Sequence, residues 1–220
     1  QYSVKEVGET GNKITGKDGA EYTVTYNGYD VTNSYTPEVT EVSGSKAWDD
    51  GNNQDGKRPD SITIQLLADG EPVEGKTAVL TGEKVSYGWK GLPKYAKGSL
   101  IQYSVKEVGE NGGRIAGKDG AEYSVTYAGM NVKNSYSTTK VTVSGSKTWA
   151  DADNQDGKRP DSITIQLLAD GNPVEGKTAV LSGSELGYSW EDLPKYAGGS
   201  LIQYSVKEVG ETGNKITGKD

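Results

Sequence analysis

Leu100-Ile-Gln-Tyr-Ser-Val-Lys-Glu107 alternates from Ile101 onward: Ile101, Tyr103, Val105 and Glu107 fall on one side, Gln102, Ser104 and Lys106 on the other. A period of two is the pattern of a half-buried β-strand, whose successive side chains point to opposite faces. The string QYSVKEVGE inside this stretch recurs, beginning at Gln1, Gln102 and Gln203, and GKRPDSITIQLLADG begins at Gly56 and Gly157. Both give a spacing of 101 residues. That is the size of a small domain, not of the roughly 20–50-residue unit of a solenoid. Residues 1–18 and 203–220 are identical.

The same alternation continues outward in Val141-Thr-Val-Ser-Gly-Ser-Lys-Thr-Trp149, Ile62-Thr-Ile-Gln-Leu66, Tyr123-Ser-Val-Thr-Tyr127 and Met130-Asn-Val-Lys-Asn-Ser-Tyr136. β-Branched and Tyr residues dominate these stretches, as strands favour. Turn pairs separate them: Asn27-Gly28, Asp55-Gly56, Asp69-Gly70, Gly112-Gly113 and Asp119-Gly120. No helical pattern stands out. Seven or so short strands in about 100 residues predict an antiparallel β-sandwich. Thr36-Pro37-Glu38 and Ser137-Thr138-Thr139 read as linkers. In that frame residues 1–37 are the C-terminal part of a preceding repeat, 38–137 a complete repeat, and 138–220 a second repeat lacking its last strands. Such short linkers, poor in Gly, predict an extended rod with limited bending.

Composition excludes whole classes of chemistry. Cys is 0 and His is 0, so there is no disulfide, no cysteine nucleophile, no Ser-His-Asp triad and no His-ligated metal. The net charge of -7 argues against nucleic acid and anionic membrane surfaces as partners. No apolar run approaches the roughly 20 residues of a membrane helix. No metal and no cofactor are expected. Asp151-Ala-Asp-Asn-Gln-Asp-Gly157 resembles the start of a calcium loop, but Ser162 stands where an EF-hand has its closing Glu, which favours an Asx-rich turn. Lys57-Arg58-Pro59 and Lys158-Arg159-Pro160 read as local ion pairs, and Trp89 and Trp190 as packing aromatics rather than a sugar platform.

Three polar residues per repeat interrupt apolar stripes. Lys147 lies in line with Val141, Val143, Gly145 and Trp149; its repeat Lys46 lies in line with Val42 and Trp48. Glu107 shares the face of Ile101, Tyr103 and Val105, and its repeats are Glu6 and Glu208. Asn134 shares a face with Met130, Val132 and Tyr136, and its repeat Asn33 lies between Val31 and Tyr35. Buried Lys and Glu are rare unless paired. A structural ion pair capped by an amide satisfies the pattern; so does a stripe that ends at a wet strand tip. A third reading is a reaction. Burial drives Lys toward the neutral amine, a nucleophile, and Glu toward the neutral acid, a proton donor. The product is a Lys–Asn isopeptide bond with loss of ammonia.

At these residues the sequence resembles the B-type repeats of the Cna collagen adhesin of Gram-positive bacteria, the CnaB domains. The strings SGSKTWADADNQDGKRPDSITIQLLADG, LPKYAGGSLIQYSVKE and VTNSY carry the likeness, which covers the whole repeat. The resemblance implies an all-β tandem array of inverse-immunoglobulin-like (prealbumin-like) sandwiches with a Lys–Asn isopeptide and a catalytic Glu or Asp. Carried over, Lys46, Glu107 and Asn134 are a complete set, Lys147 and Glu208 two thirds of another, and Asn33 with Glu6 part of a third. The implied function is a stalk or spacer of an extracellular, cell-wall-anchored adhesin, its anchor outside this sequence. The alternative is a module that itself grips host matrix protein or glycan. A turnover enzyme is not expected, since this chemistry consumes its own side chains. Expected partners are adjacent repeats. The mid-repeat termini read either as a slice of a longer array or as ends that associate head to tail, Asn33 of one chain serving Lys147 of another.

Overall fold

The computed structural model describes residues 1–82, 85–211, 215, 216 and 218. Three strands come first: β1 Lys13–Thr15, β2 Glu21–Asn27 and β3 Asp30–Ser34. Next are β4 Val39–Asp49, β5 Ser61–Ala68, β6 Glu71–Thr81, β7 Ser86–Pro93, β8 Tyr95–Ala96, β9 Ser99–Leu100, β10 Tyr103–Glu107, β11 Arg114–Ala116, β12 Glu122–Ala128 and β13 Asn131–Ser135. The last group is β14 Lys140–Ser146, β15 Ser162–Ala169, β16 Asn172–Ser182, β17 Gly187–Pro194, β18 Tyr196–Ala197, β19 Ser200–Leu201 and β20 Tyr204–Glu208.

Strands β4 to β13 form two main sheets, one ordered β11-β12-β13-β4-β7 and the other β10-β5-β6, with β8 and β9 as a separate two-stranded pair. Ile62, Ile64 and Leu66 alternate along β5 toward the interior, where Val42, Trp89, Leu92, Val105, Val125 and Val132 meet them. Each such side chain, fully buried, contributes about 1.5–3 kcal/mol. The β5–β6 hairpin closes on Asp69-Gly70, both at positive φ (52° and 88°), the mirror-type turn whose twist matches the strands. Trp89 is 9% exposed, inside the core. The last group repeats the plan with β16-β15-β20 and the pair β14-β17, around Ile163, Ile165, Leu167, Leu181, Trp190 and Leu193. The first group is the sheet β1-β2-β3.

Several expectations need correction. The sandwich is not wholly antiparallel: β13 pairs with β4 in parallel, Val132 opposite Lys46 and Asn134 opposite Trp48. Alternation reports faces, not direction, and a parallel pair needs a long crossover, supplied here by everything from β5 to β12. The alternating stretch at 100–107 is broken, since Leu100 belongs to β9 and β10 starts at Tyr103. Strand β14 stops at Ser146, whereas β4 runs on to Asp49. The end of β4 is held by β13, and among the described residues Lys147–Trp149 lie in no strand. Residues 1–6 share the sequence of 102–107 yet form no strand, and Tyr2 is 89% exposed. A strand needs a hydrogen-bonding neighbour, and β5 plays that part for β10.

Candidate functional site

Lys46 sits on β4, Asn134 on the adjacent β13, and Glu107 at the end of β10 in the facing sheet. The parallel register places Lys46 and Asn134 two positions apart on the same side of neighbouring strands. All three are buried: Lys46 is 3% exposed, Glu107 and Asn134 0%. Asn134 Nδ2 donates to Glu107 Oε1 at 3.0 Å. The other Glu107 oxygen and the Asn134 carboxamide oxygen are buried without a hydrogen-bond partner. Lys46 Nζ donates to the Ala47 carbonyl at 3.0 Å and lies 3.8 Å from the centroid of the Trp48 ring.

Burial shifts both ionisable groups toward their neutral forms. Burial pushes the Lys46 amine down to about 8, with Glu107 pulling it back up and the Arg58 charge lowering it further. Burial pushes the Glu107 carboxyl above the usual carboxylate range, against the pull of Lys46 and the Asn134 amide. An amine pushed toward neutrality, a carboxamide and a carboxyl pushed toward its acid form are thus buried together, which suits acyl transfer to nitrogen.

Neighbours that alternation did not single out hold these groups. Tyr127 accepts the Glu107 N–H at 3.0 Å and so ties the end of β10 to β12. Arg58 lies over the Trp48 ring at 4.9 Å and grips Asp50 through two hydrogen bonds of 3.0 and 2.6 Å. Tyr123 donates to the same carboxylate at 3.1 Å. Burial raises the Asp50 pKa, but the hydrogen bonds from Arg58, the Asn53 N–H and Tyr123 outweigh it and hold the carboxyl below its ordinary value. The Asx-rich stretch is therefore a turn clamped under Trp48. Arg58 was visible in the sequence as half of a basic step; its place over Trp48 was not, because the turn folds it back from eight residues beyond Asp50.

The partial sets are arranged differently. Lys147 Nζ meets Glu208 Oε2 at 3.1 Å, and the second Glu208 oxygen is buried without a partner. Asn33 was expected to face inward, but it is exposed and donates to Glu6 Oε1 at 2.9 Å. Among the described residues no second sheet covers β3, so its inner face stays open. The Glu6 N–H is nonetheless held by Tyr26 at 2.9 Å, as Tyr127 holds Glu107. Thus the structure brings Lys46, Glu107 and Asn134 into one compartment, and it does not bring Asn33 to Lys147.

The profile described as Cna protein B-type domain matches residues 42–135 and 143–219. The chain is similar to a collagen adhesin of Staphylococcus aureus, with 41% identity over 189 residues that make up 86% of this chain and 16% of that protein. It is similar to the crystal structure of two B repeat units (B1B2) of the collagen binding protein Cna of S. aureus, with 39% identity and a TM-score of 0.64 over 85% of this chain and 49% of that one. The chain thus spans a minor part of the adhesin that it matches. The profile, the tandem sandwiches and the repeat-unit structure agree: this chain belongs to the Cna protein B-type domain family, as a tandem of its repeats.

Proposed function

We propose that Lys46 and Asn134 are joined by an isopeptide bond, with Glu107 moving the proton, and that this bond stiffens the repeat for its work in the stalk. The neutral Lys46 amine attacks Cγ of Asn134. The Nζ–Cγ bond forms and the Cγ–Nδ2 bond breaks. The proton lost by the amine passes through Glu107 to Nδ2, which leaves as ammonia, with nothing oxidised or reduced. Glu107 stands 3.0 Å from that leaving nitrogen.

The observation that carries this reading is a set of orphans. Among the described residues, the buried side-chain atoms without a hydrogen-bond partner belong to Glu6, Glu107, Asn134 and Glu208. Buried polar atoms are otherwise almost always paired. Their concentration on these residues supports reactivity over a settled ion pair. The working units are residues 1–37, 38–137 and 138–220, with Lys147 and Glu208, and Asn33 and Glu6, as incomplete sets. The repeats stand outside the cell on a wall-anchored protein. Head-to-tail association, with Asn33 of one chain reaching Lys147 of the next, extends the same chemistry between chains; the net charge of -7 speaks against nucleic acid as a partner.

Intact mass measured in denaturant tests the bond. The wild-type chain is expected to fall short of its sequence mass by one ammonia, and Glu107→Gln to restore the full mass. A full-mass wild-type chain with a folded β4–β13 sandwich overturns the proposal. Covalent multiples of the chain in the same spectrum are expected if chains also join head to tail; their absence from assembled material rules that extension out.

A further inference from the structure

The loop from Asp50 to Gly56 carries more than the clamp on Trp48. Its far end touches the next repeat. The Thr139 N–H donates to Asp55 Oδ2 at 2.7 Å, and the Thr139 side chain hydrogen-bonds the same carboxylate. Tyr136 donates to it at 3.4 Å and Gln54 to Oδ1 at 3.3 Å. The Gly199 N–H, in the tight turn between β18 and β19, donates to the Gln54 carbonyl at 3.0 Å. The two backbones are so close here that a Cβ added to Gly56 would stand 2.6 Å from the Gly199 Cα.

The sequence supplies an internal control. Asn53-Gln-Asp-Gly56 recurs as Asn154-Gln-Asp-Gly157, and Gly56 and Gly157 have the same backbone turn, φ +69° and +65°. Yet Asp55 is 5% exposed whereas Asp156 is exposed, and nothing lies within 4 Å of a Cβ built on Gly157. Asp55 is covered by Thr139 of the next repeat together with Tyr136 of its own, a residue with no counterpart among 138–220, while the contact at Gly56 is made by the next repeat's Gly198-Gly199 turn. The seated pole also differs from its counterpart. Thr139 and Gly198 replace Glu38 and Lys97, two charged residues of the preceding repeat. A Glu at 139 would bring a second carboxylate up to Asp55 and lose the Thr139 hydroxyl.

We propose that the Asp55-Gly56 corner is a docking socket for the following repeat, taking the Thr139 N–H and hydroxyl and the Gly198-Gly199 turn, and that it fixes the angle between repeats. The partner is a CnaB pole with an uncharged residue in place of Glu38 and a bare Gly-Gly turn. The flexible-tether alternative, in which residues 136–139 merely join two independent bodies, makes no use of these contacts. The socket does not depend on the Lys46 bond, so the two proposals stand or fall separately.

The chain has no native cysteine, so one spin-label pair can be placed at the exposed equivalent positions Ser104→Cys and Ser205→Cys of the whole chain. Dipolar spectroscopy then reads the distance between repeats. The otherwise unmodified chain is expected to give one narrow distance peak. Asp55→Ala removes the acceptor and Gly56→Ala drives a methyl into Gly199; both are expected to broaden the peak. Asp156→Ala and Gly157→Ala impose the same local change, including the left-handed backbone strain, without touching the other repeat; both are expected to leave the peak narrow. A parent distribution as broad as that of Asp55→Ala overturns the proposal. So does an unchanged narrow peak in both Asp55→Ala and Gly56→Ala, each shown by thermal melting to remain folded.

Discussion

Lys46 and Glu107 are each shifted toward neutrality by the same cause, loss of water, and each is drawn back by the other's charge. In the proposed reaction the reactive pair is neutral amine with protonated acid. Between the two pKa values the population of that pair does not change with pH, because gaining neutral amine is offset by losing protonated acid. Above about 8 the amine is already free and only Glu107 continues to lose its proton, so the reactive population falls. Below the raised Glu107 value the amine stays charged and it falls again. A chain kept unfolded from synthesis and refolded at a series of pH values is therefore expected to lose ammonia on a bell-shaped pH profile with its alkaline limb beginning near pH 8. A rate that keeps rising past pH 9, as for an ordinary lysine acting alone, would remove Glu107 from the role given to it.

The element that brings the site together is the parallel pair β4–β13, and it depends on one small residue. Gly44 lets β13 approach: a Cβ there would stand 1.9 Å from the Met130 carbonyl oxygen, to which the Tyr87 hydroxyl also donates. At the equivalent Gly145 the nearest atoms belong to the Tyr188 side chain, which can swing aside. Overpacking a well-filled site costs about 1–3 kcal/mol, and more where backbone must move. Gly44→Ala is thus expected to lower amide-exchange protection along β4 by roughly tenfold or more, and Gly145→Ala to lower that of β14 less. Equal losses at the two strands would mean that the Met130 contact is not what Gly44 is needed for.

For the whole molecule the proposed bond would change what a pull can do. Lys46 and Asn134 lie on the first and last strands of the β4–β13 sandwich, so with that bond in place tension entering on β4 would leave through β13 without loading the strands between. A cross-link closing a loop of this size contributes roughly 4–5 kcal/mol through the unfolded chain, on a chain-entropy model. In single-molecule stretching, Glu107→Gln is expected to show an unfolding step releasing roughly 300 Å, residues 46 to 134 at about 3.3–3.6 Å each. The wild-type chain is expected to lack that step. A wild-type trace containing it would show that the bond does not carry the force.

Period-two alternation and the 101-residue identity are local properties, so the strands, the faces of Lys46, Glu107 and Asn134, and the tandem plan were legible before any coordinates. The interruptions of the apolar stripe were legible for the same reason, and the Cna-like strings pointed to the family. Direction was not: nothing in Met130–Tyr136 says that it will lie parallel to β4. Nor was context. QYSVKE forms a strand from Tyr103 and from Tyr204, where β5 and β15 offer a ladder, and none at 1–6. Asn-Gln-Asp-Gly buries its Asp at 55 and exposes it at 156. In each case identical residues meet different neighbours. Which side chains want burial, and at what spacing, is written in the residues, because that preference belongs to the side chain. Which of them found a partner was settled only on folding, because backbone hydrogen bonds and desolvation depend on whatever packs against them.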